Sequence, residues 1–256
     1  MRFLASAVTD IGISKKTNQD SVCVKIAETE KYGQVAMAVL CDGMGGLDKG
    51  ELASATVIRA FCDWYDKDFP NMLNSFSWDA VASEWTRIVK EQNYRISQYG
   101  KTVDVSLGTT VTAMLFVGGR YLIVHVGDSR VYNLKKTVSQ LTEDQTFIAR
   151  EIKLGRMTPE QAAADPRKNM LLQCCGASKN VEPQVILGKA EKESVYMLCS
   201  DGFRHVISDA EIYDCLNPDR LKGIAAMEAN SKYLINLVKS RNEKDNITVA
   251  LIKCSQ

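Results

Sequence analysis

Five aspartates in this chain stand at the ends of apolar runs, where a rigid strand could aim a carboxylate at a ligand. Val35-Ala36-Met37-Ala38-Val39-Leu40-Cys41 reads as a buried strand and leads directly into Asp42-Gly43-Met44-Gly45-Gly46. The glycines let the backbone turn sharply and approach an ion or phosphate with no Cβ in the way. Val195-Tyr196-Met197-Leu198-Cys199 leads likewise into Ser200-Asp201-Gly202, and Val124-His125-Val126 into Gly127-Asp128-Ser129-Arg130. Asn18-Gln19-Asp20 and Lys244-Asp245-Asn246 stand immediately before the runs at 21–24 and 247–252. Each acid alone is an ordinary turn or cap residue. Gathered at one sheet end, the five would repel and raise each other's pKa unless cations neutralised them. Hard oxygen donors select magnesium, manganese or calcium over zinc, and manganese or magnesium is expected here. Two such ions about 3.5–4 Å apart can share a water, lower its pKa and aim it at phosphorus.

Other chemistries have less support. The chain has eight cysteines but no Cys-x-x-Cys pair, and its two histidines are His125 and His205, so a structural zinc site is not expected. Most of the cysteines lie in apolar stretches, which fits reduced, buried thiols. Cys174-Cys175 lacks the Cys-x5-Arg spacing of a thiol phosphatase, and both histidines read as structural.

The acids need a scaffold, and β-branched runs supply one. Strands are predicted at about 3–9, 21–26, 34–41, 109–117, 120–127, 130–134, 184–188, 194–199 and 246–253. Gly118-Gly119 between two of them is a two-residue hairpin signal. Helical periodicity occupies about 50–66, 78–98, 143–155, 158–164, 209–216 and 220–239, with Thr158-Pro159-Glu160 and Ser208-Asp209-Ala210-Glu211 as start signals. Strands and helices come in blocks, which predicts an α+β chain of antiparallel sheets with helices packed outside.

Composition agrees with a globular protein: 256 residues, 45% hydrophobic and 25% charged. Thirty-two basic residues against 31 acidic leave a net charge of +1, so no global field points to nucleic acid or an anionic membrane. That balance also disfavours a two-metal nuclease. No apolar run approaches the ~20 residues of a membrane span, and Thr9-Asp10 interrupts the N-terminal one too early for a signal peptide. A single domain over 1–256 is expected, acting as a cytoplasmic monomer.

In order along the chain, the blocks Asn18-Gln19-Asp20, Asp42-Gly43-Met44-Gly45-Gly46, Gly108-Thr109-Thr110, Gly127-Asp128-Ser129-Arg130, Leu141-Thr142-Glu143-Asp144-Gln145, Ser200-Asp201-Gly202 and Asp245-Asn246-Ile247-Thr248 resemble those of the metal-dependent PPM-type serine/threonine phosphatases, the protein phosphatase 2C family, in their bacterial form. The resemblance implies a four-layer αββα sandwich, two antiparallel sheets face to face and flanked by helices, with a dimetal site at one edge. It implies hydrolysis of phosphoserine and phosphothreonine by a hydroxide bridging two Mn2+ or Mg2+ ions, on phosphoproteins, in opposition to a bacterial serine/threonine kinase. By the same resemblance Asp42 bridges the metals, the Gly43 carbonyl ligates one, Asp201 and Asp245 hold the other, Asp20 acts through water, and Asp128 serves a weaker third ion. Catalysis would thus rest on Asp42, Asp201 and Asp245 through metal-activated water.

The chain departs from the family pattern at four positions. Lys15 stands where an arginine usually binds the substrate phosphate, so a point charge replaces a bidentate fork. Gln19 replaces the usual glutamate, Gln145 the usual histidine, and Met44 the histidine of eukaryotic members. Phe147 through Gly176 matches by position the mobile flap of bacterial members.

Overall fold

The computed structural model describes residues 1–44 and 49–255, so Gly45 and Gly46 of the predicted turn lie outside the described residues. Among those described, one antiparallel sheet has the order β1 (Arg2–Asp10), β11 (Ile247–Ser255), β10 (Ser194–Cys199), β7 (Arg130–Leu134) and β8 (Val138–Gln140). The second runs β2 (Asp20–Thr29), β3 (Gly33–Met44), β5 (Val111–Val117), β6 (Arg120–Val126) and β9 (Gln184–Lys189), with the short β4 (Gly108–Thr109) paired to the end of β3. The long helices are α1 (Gly50–Lys67), α3 (Trp78–Thr102) and α8 (Ile224–Ser240). The shorter ones are α2 (Phe69–Met72), α4 (Phe147–Lys153), α5 (Pro159–Ala164), α6 (Asp201–Arg204) and α7 (Asp209–Leu216).

Period-two alternation stacks these pieces into four layers. In β3, Ala36, Ala38 and Leu40 join Phe116, Ile123, Tyr196, Leu198 and Ile252 in a core between the sheets. Val35, Met37, Val39 and Cys41 face the other way, onto Phe61 of α1 and Trp85 and Val89 of α3. In β10, Val195, Met197 and Cys199 similarly face Ile212 of α7 and Leu234 and Ile235 of α8. Both faces of each central strand are buried, which is why these segments read as continuous apolar runs. At about 1.5–3 kcal/mol per fully buried large apolar side chain, this packing is the main source of the rigidity the acids need.

The predicted strands and helices recur within a few residues, and Gly118 and Gly119 adopt φ of +55° and +76°, as a two-residue hairpin with both central residues left-handed requires. Several details differ, among them the short helices α2 and α6, which have no predicted counterpart, and β3, which runs past 41 through Asp42 and Gly43 to Met44. α4 begins at Phe147 rather than 143, because Thr146 caps it, its side chain accepting from Ala149 N–H. α8 begins at Ile224 rather than 220, after an extended Gly223. β8 was not predicted: three residues with a half-buried valine and two exposed polar side chains carry no apolar signal.

Candidate metal centre

The corner residues of the sandwich are locked by backbone hydrogen bonds. At the end of β3, Asp42 N–H donates to Thr110 Oγ1 at 2.9 Å, while its carbonyl accepts from Thr110 N–H and Thr109 Oγ1, each at 2.9 Å. This gives the Gly108-Thr109-Thr110 block its reason: it clamps the strand that carries Asp42. Gly43 N–H donates to the Gln19 carbonyl at 3.1 Å, and a Cβ on Gly43 would lie 2.4 Å from both the Gln19 and Gly50 carbonyl oxygens, so only glycine fits. Asp20 is the cross-strand partner of Asp42 in the β2–β3 register.

The opposite wall comes from the first sheet. Asp201 opens α6 directly after β10, and Ser200 ties that corner to β11 by N–H to the Thr248 carbonyl and Thr248 N–H to Ser200 Oγ, both at 3.0 Å. Asp245 precedes β11, and its Oδ1 accepts from Asn246 N–H at 2.8 Å. The Asn246 amide donates to the Ile11 and Thr17 carbonyls, and its oxygen accepts from Gln19 N–H, so one side chain fastens the loop carrying Lys15 to the Asp245 corner. Gln19 does its part through the main chain, which removes the need for a charge at that position.

Asp42, Gly43, Asp128, Asp201, Asp245 and Lys15 therefore line one recess of about 260 Å³, with Asp20 buried beside it. A larger cavity of about 610 Å³ lies nearby against α4, but both its carboxylates are already paired, Glu143 with Lys153 and Asp144 with Arg130, each at 2.6 Å. The unpaired acid is in the smaller one. Both side-chain oxygens of Asp20 and Oδ1 of Asp201 are buried with no hydrogen-bond partner of good geometry, although the Thr248 and Ser200 hydroxyls stand near enough to Asp20 to favour its charged form somewhat. Burial, followed by the charges of Asp201 and Asp245, pushes Asp20 up to about 7. Burial and Asp201 do the same to Asp128, again to about 7, against the pull of Arg204. Asp42 rises well above the usual carboxylate range through burial and then Asp20, Asp201, Asp128 and Asp245. Orphaned oxygens and mutual repulsion are what a hard divalent cation would relieve, so the donor set fits manganese or magnesium. Among the described residues no three such side chains already close on a single coordination point; the acids ring the recess.

Lys15 Nζ lies 2.7 Å from Asp245 Oδ1. Partial burial lowers its pKa, but the bond to Asp245 and the charges of Asp245, Asp42 and Asp201 outweigh that and raise it. Several supporting residues were not singled out from sequence. Arg204 lies 3.7 Å from Asp128 Oδ2 and 3.6 Å from Asp144 Oδ2, and Asp144 is held by both arms of Arg130. His205 stands between Asp201, at 3.4 Å, and Glu243, at 3.2 Å, so one of the two histidines is in contact with a site acid. Burial lowers His125 to about 4, and its ring bonds Thr112 Oγ1 and the Gly127 carbonyl, a neutral structural role. The i,i+4 spacing of Asp201, which opens α6, and His205, which caps its end, was the available signal for that contact.

Gln145 also finds its reason here. Its amide oxygen accepts from Gly127 N–H and from Gln173 Nε2, both at 2.9 Å, bracing the turn before Asp128 against the segment that follows α5. Gly127 has φ +113°, and a Cβ there would meet Thr110 Cβ at 2.8 Å. Gly127→Ala should therefore cost about 2 kcal/mol through strain and crowding. Chemical denaturation checks this, and a loss under ~0.5 kcal/mol would show that the turn relaxes freely.

Comparison with known proteins agrees with this geometry. The family model described as protein phosphatase 2C matches residues 13–244. Over 248 residues the chain is 32% identical to the serine/threonine protein phosphatase PstP of Mycobacterium tuberculosis, covering 96% of this chain and 44% of that protein's length. It superposes on the serine/threonine phosphatase of S. agalactiae with a TM-score of 0.86 at 30% identity, covering 99% and 100% of the two chains. It superposes on the catalytic domain of PstP in complex with two manganese ions with a TM-score of 0.80 at 30% identity and 99% coverage of each. With the motif blocks clamping the acidic corner and the match extending over nearly the whole chain, this protein belongs to the protein phosphatase 2C family.

Proposed function

We propose that the chain is a metal-dependent phosphatase of proteins phosphorylated on serine or threonine. The observation that carries this reading is the set of buried carboxylate oxygens on Asp20 and Asp201 that lack a protein partner, beside Asp42, Asp245 and the Gly43 carbonyl in one recess. Asp42 would be shared by two Mn2+ or Mg2+ ions, Gly43 would serve one, Asp201 and Asp245 the other, Asp20 would act through water, and Asp128 would hold a weaker third. The two manganese ions bound by the mycobacterial relative support that count. Divalent ions in such a setting lower the pKa of water and absorb phosphate charge.

The chain's own residues do the rest. No free hydroxyl or thiol lines the recess among the described residues: the Thr110 hydroxyl is engaged with Asp42 N–H and Ser129 Oγ. Cys174 and Cys175 are buried, and burial pushes both thiols up. With the aspartates assigned to the ions, water would be the attacking group, and no phosphoenzyme is needed. Lys15, now on Asp245, is positioned to exchange that carboxylate for a substrate phosphate, which offers it more negative charge. An ammonium attracts phosphate without fixing its orientation. Asn169 and Leu171 reach the recess from the 147–176 segment, supporting its reading as a flap over the substrate.

The reading extends to a single-domain cytoplasmic monomer opposing a bacterial kinase, of which the eight free cysteines favour the reducing compartment; among the described residues no helix is long and apolar enough to cross a membrane. Hydrolysis of para-nitrophenyl phosphate and of a phosphothreonine peptide should require Mn2+ or Mg2+, vanish in EDTA and return on metal addition. A chain that binds Mn2+ yet releases phosphate from neither substrate would instead be a phosphoprotein-binding relative. In cells, loss of the protein and Asp201→Asn should raise the same phosphosites.

A further inference from the structure

Away from the recess, β2 and α1 meet along a matched seam. Residues 21, 23 and 25 share one face of the strand, and residues 54, 62 and 66 fall on one stripe of the helix at multiples of four. Ser21 Oγ and Ser54 Oγ are 2.9 Å apart, and at the other end Lys25 Nζ bonds both oxygens of Asp66 at 2.6 Å. Between these two fixed rungs the sulfurs of Cys23 and Cys62 stand 3.1 Å apart, about 1 Å longer than a disulfide bond. Both cysteines are free and half-buried, accessible to a small oxidant, whereas Cys41, Cys174, Cys175, Cys199 and Cys254 are buried and Cys215, also half-buried, makes no thiol contact among the described residues. Nothing in the proposed hydrolysis uses the pair.

We infer that Cys23 and Cys62 form a peroxide-oxidisable dithiol, a modification site that closes to a disulfide between β2 and α1. Cys62 is the attacking thiol. The neighbouring Cys23 thiol and the Lys25 ammonium favour its thiolate against the opposing effects of burial and of Asp66 and Asp63, and bring it down to about 7, while Cys23 is pushed up by the same contact. The Cys62 thiolate attacks one oxygen of hydrogen peroxide. The O–O bond breaks, sulfur is oxidised to the sulfenic acid, and the departing hydroxide is protonated to water. Cys23 then attacks Cys62 Sγ, the S–S bond forms and the S–O bond breaks, and the leaving hydroxide takes the Cys23 proton as a second water. Two thiols and one peroxide give one disulfide and two waters. The link would fasten α1 to the strand that begins at Asp20, and the N-terminal residue of α1, Gly50, already packs on Gly43.

The test treats the full chain with stoichiometric hydrogen peroxide and maps its peptides without reduction. The expected result is a Cys23–Cys62 cross-linked peptide forming roughly tenfold faster than any oxidation of Cys215, and reversed by dithiothreitol. In Cys23→Ser, Cys62 should stop at the sulfenic acid and be trapped by dimedone. A wild-type chain in which Cys62 proceeds to the sulfinic acid with no cross-link, or in which Cys215 is oxidised as fast, overturns the inference. The wild-type arm decides the matter without any variant and is independent of phosphatase activity.

Discussion

Asp42→Asn should abolish turnover while making the metal-free protein more stable. The substitution is nearly isosteric, and the backbone of Asp42 is held by Thr109 and Thr110 irrespective of the side chain, so the β3 corner should survive. What disappears is a carboxyl whose ionisation is opposed by burial first and then by Asp20, Asp201, Asp128 and Asp245, so the metal-free fold must either bear its charge or take up a proton. Removing that cost should stabilise the metal-free fold on the order of 1–2 kcal/mol. If Asp42 is shared by two ions, the same change removes charge stabilisation worth several kcal/mol in the transition state, about 10³-fold in turnover. Two measurements check this: Mn2+-dependent hydrolysis of para-nitrophenyl phosphate, and the thermal shift on adding Mn2+. Activity above roughly 1% of wild type, or an undiminished Mn2+ shift, would remove Asp42 from the role proposed for it.

The second large effect is a link between pH, metal and stability. Asp20 and Asp128 titrate near 7 in the fold against an ordinary 3.8, so the native state retains protons that the unfolded chain has released. Their contribution to stability is fully present below about 3.8 and is lost as pH rises through about 7, with Asp42 adding in the same direction. His125 acts oppositely: lowered to about 4 from 6.5, it costs stability when pH falls through that window. The most informative interval is therefore above pH 6.5, where the acids are opposed by one group, Cys62, whose thiol is brought down to about 7 and adds stability as pH rises. Metal-free protein should lose a few kcal/mol as pH climbs from 6.5 to 8. Saturating Mn2+ should cancel the loss, and Mn2+ should bind more tightly at pH 8 than at 6.5 with release of protons. Calorimetry in EDTA and in Mn2+ reads all three. A metal-free melting temperature that rises over this interval would show that the acids do not share one field.

Particular residues mark how far local signals reached. The strand-end acids could be read because each follows or precedes an apolar run, and a central strand buried on both faces must be such a run. Gly43 could be read because a close backbone approach excludes every Cβ. By contrast, no local pattern singles out Arg204, whose partners Asp128 and Asp144 are 76 and 60 positions away. Asn246 belongs to a motif block, yet its own partners, Thr17 and Ile11, lie 229 and 235 positions back. His205 was assigned a structural place and stands in contact with Asp201. Gln19 and Gln145 looked like weakened members of the site, but main-chain bonds and a braced turn account for them.

By itself the sequence determined the strand and helix blocks and the acids at strand ends, because apolar runs, helical periodicity and strand-end placement are local properties of a chain whose central strands are buried on both faces. Tertiary structure alone decided which acids share a field, that Lys15 rests on Asp245, and that Cys23 meets Cys62. Those facts depend on two sheets converging at one corner and on a helix laid in register over a strand. No periodicity encodes them, since the partners lie tens to hundreds of residues apart and only packing sets the distance between them.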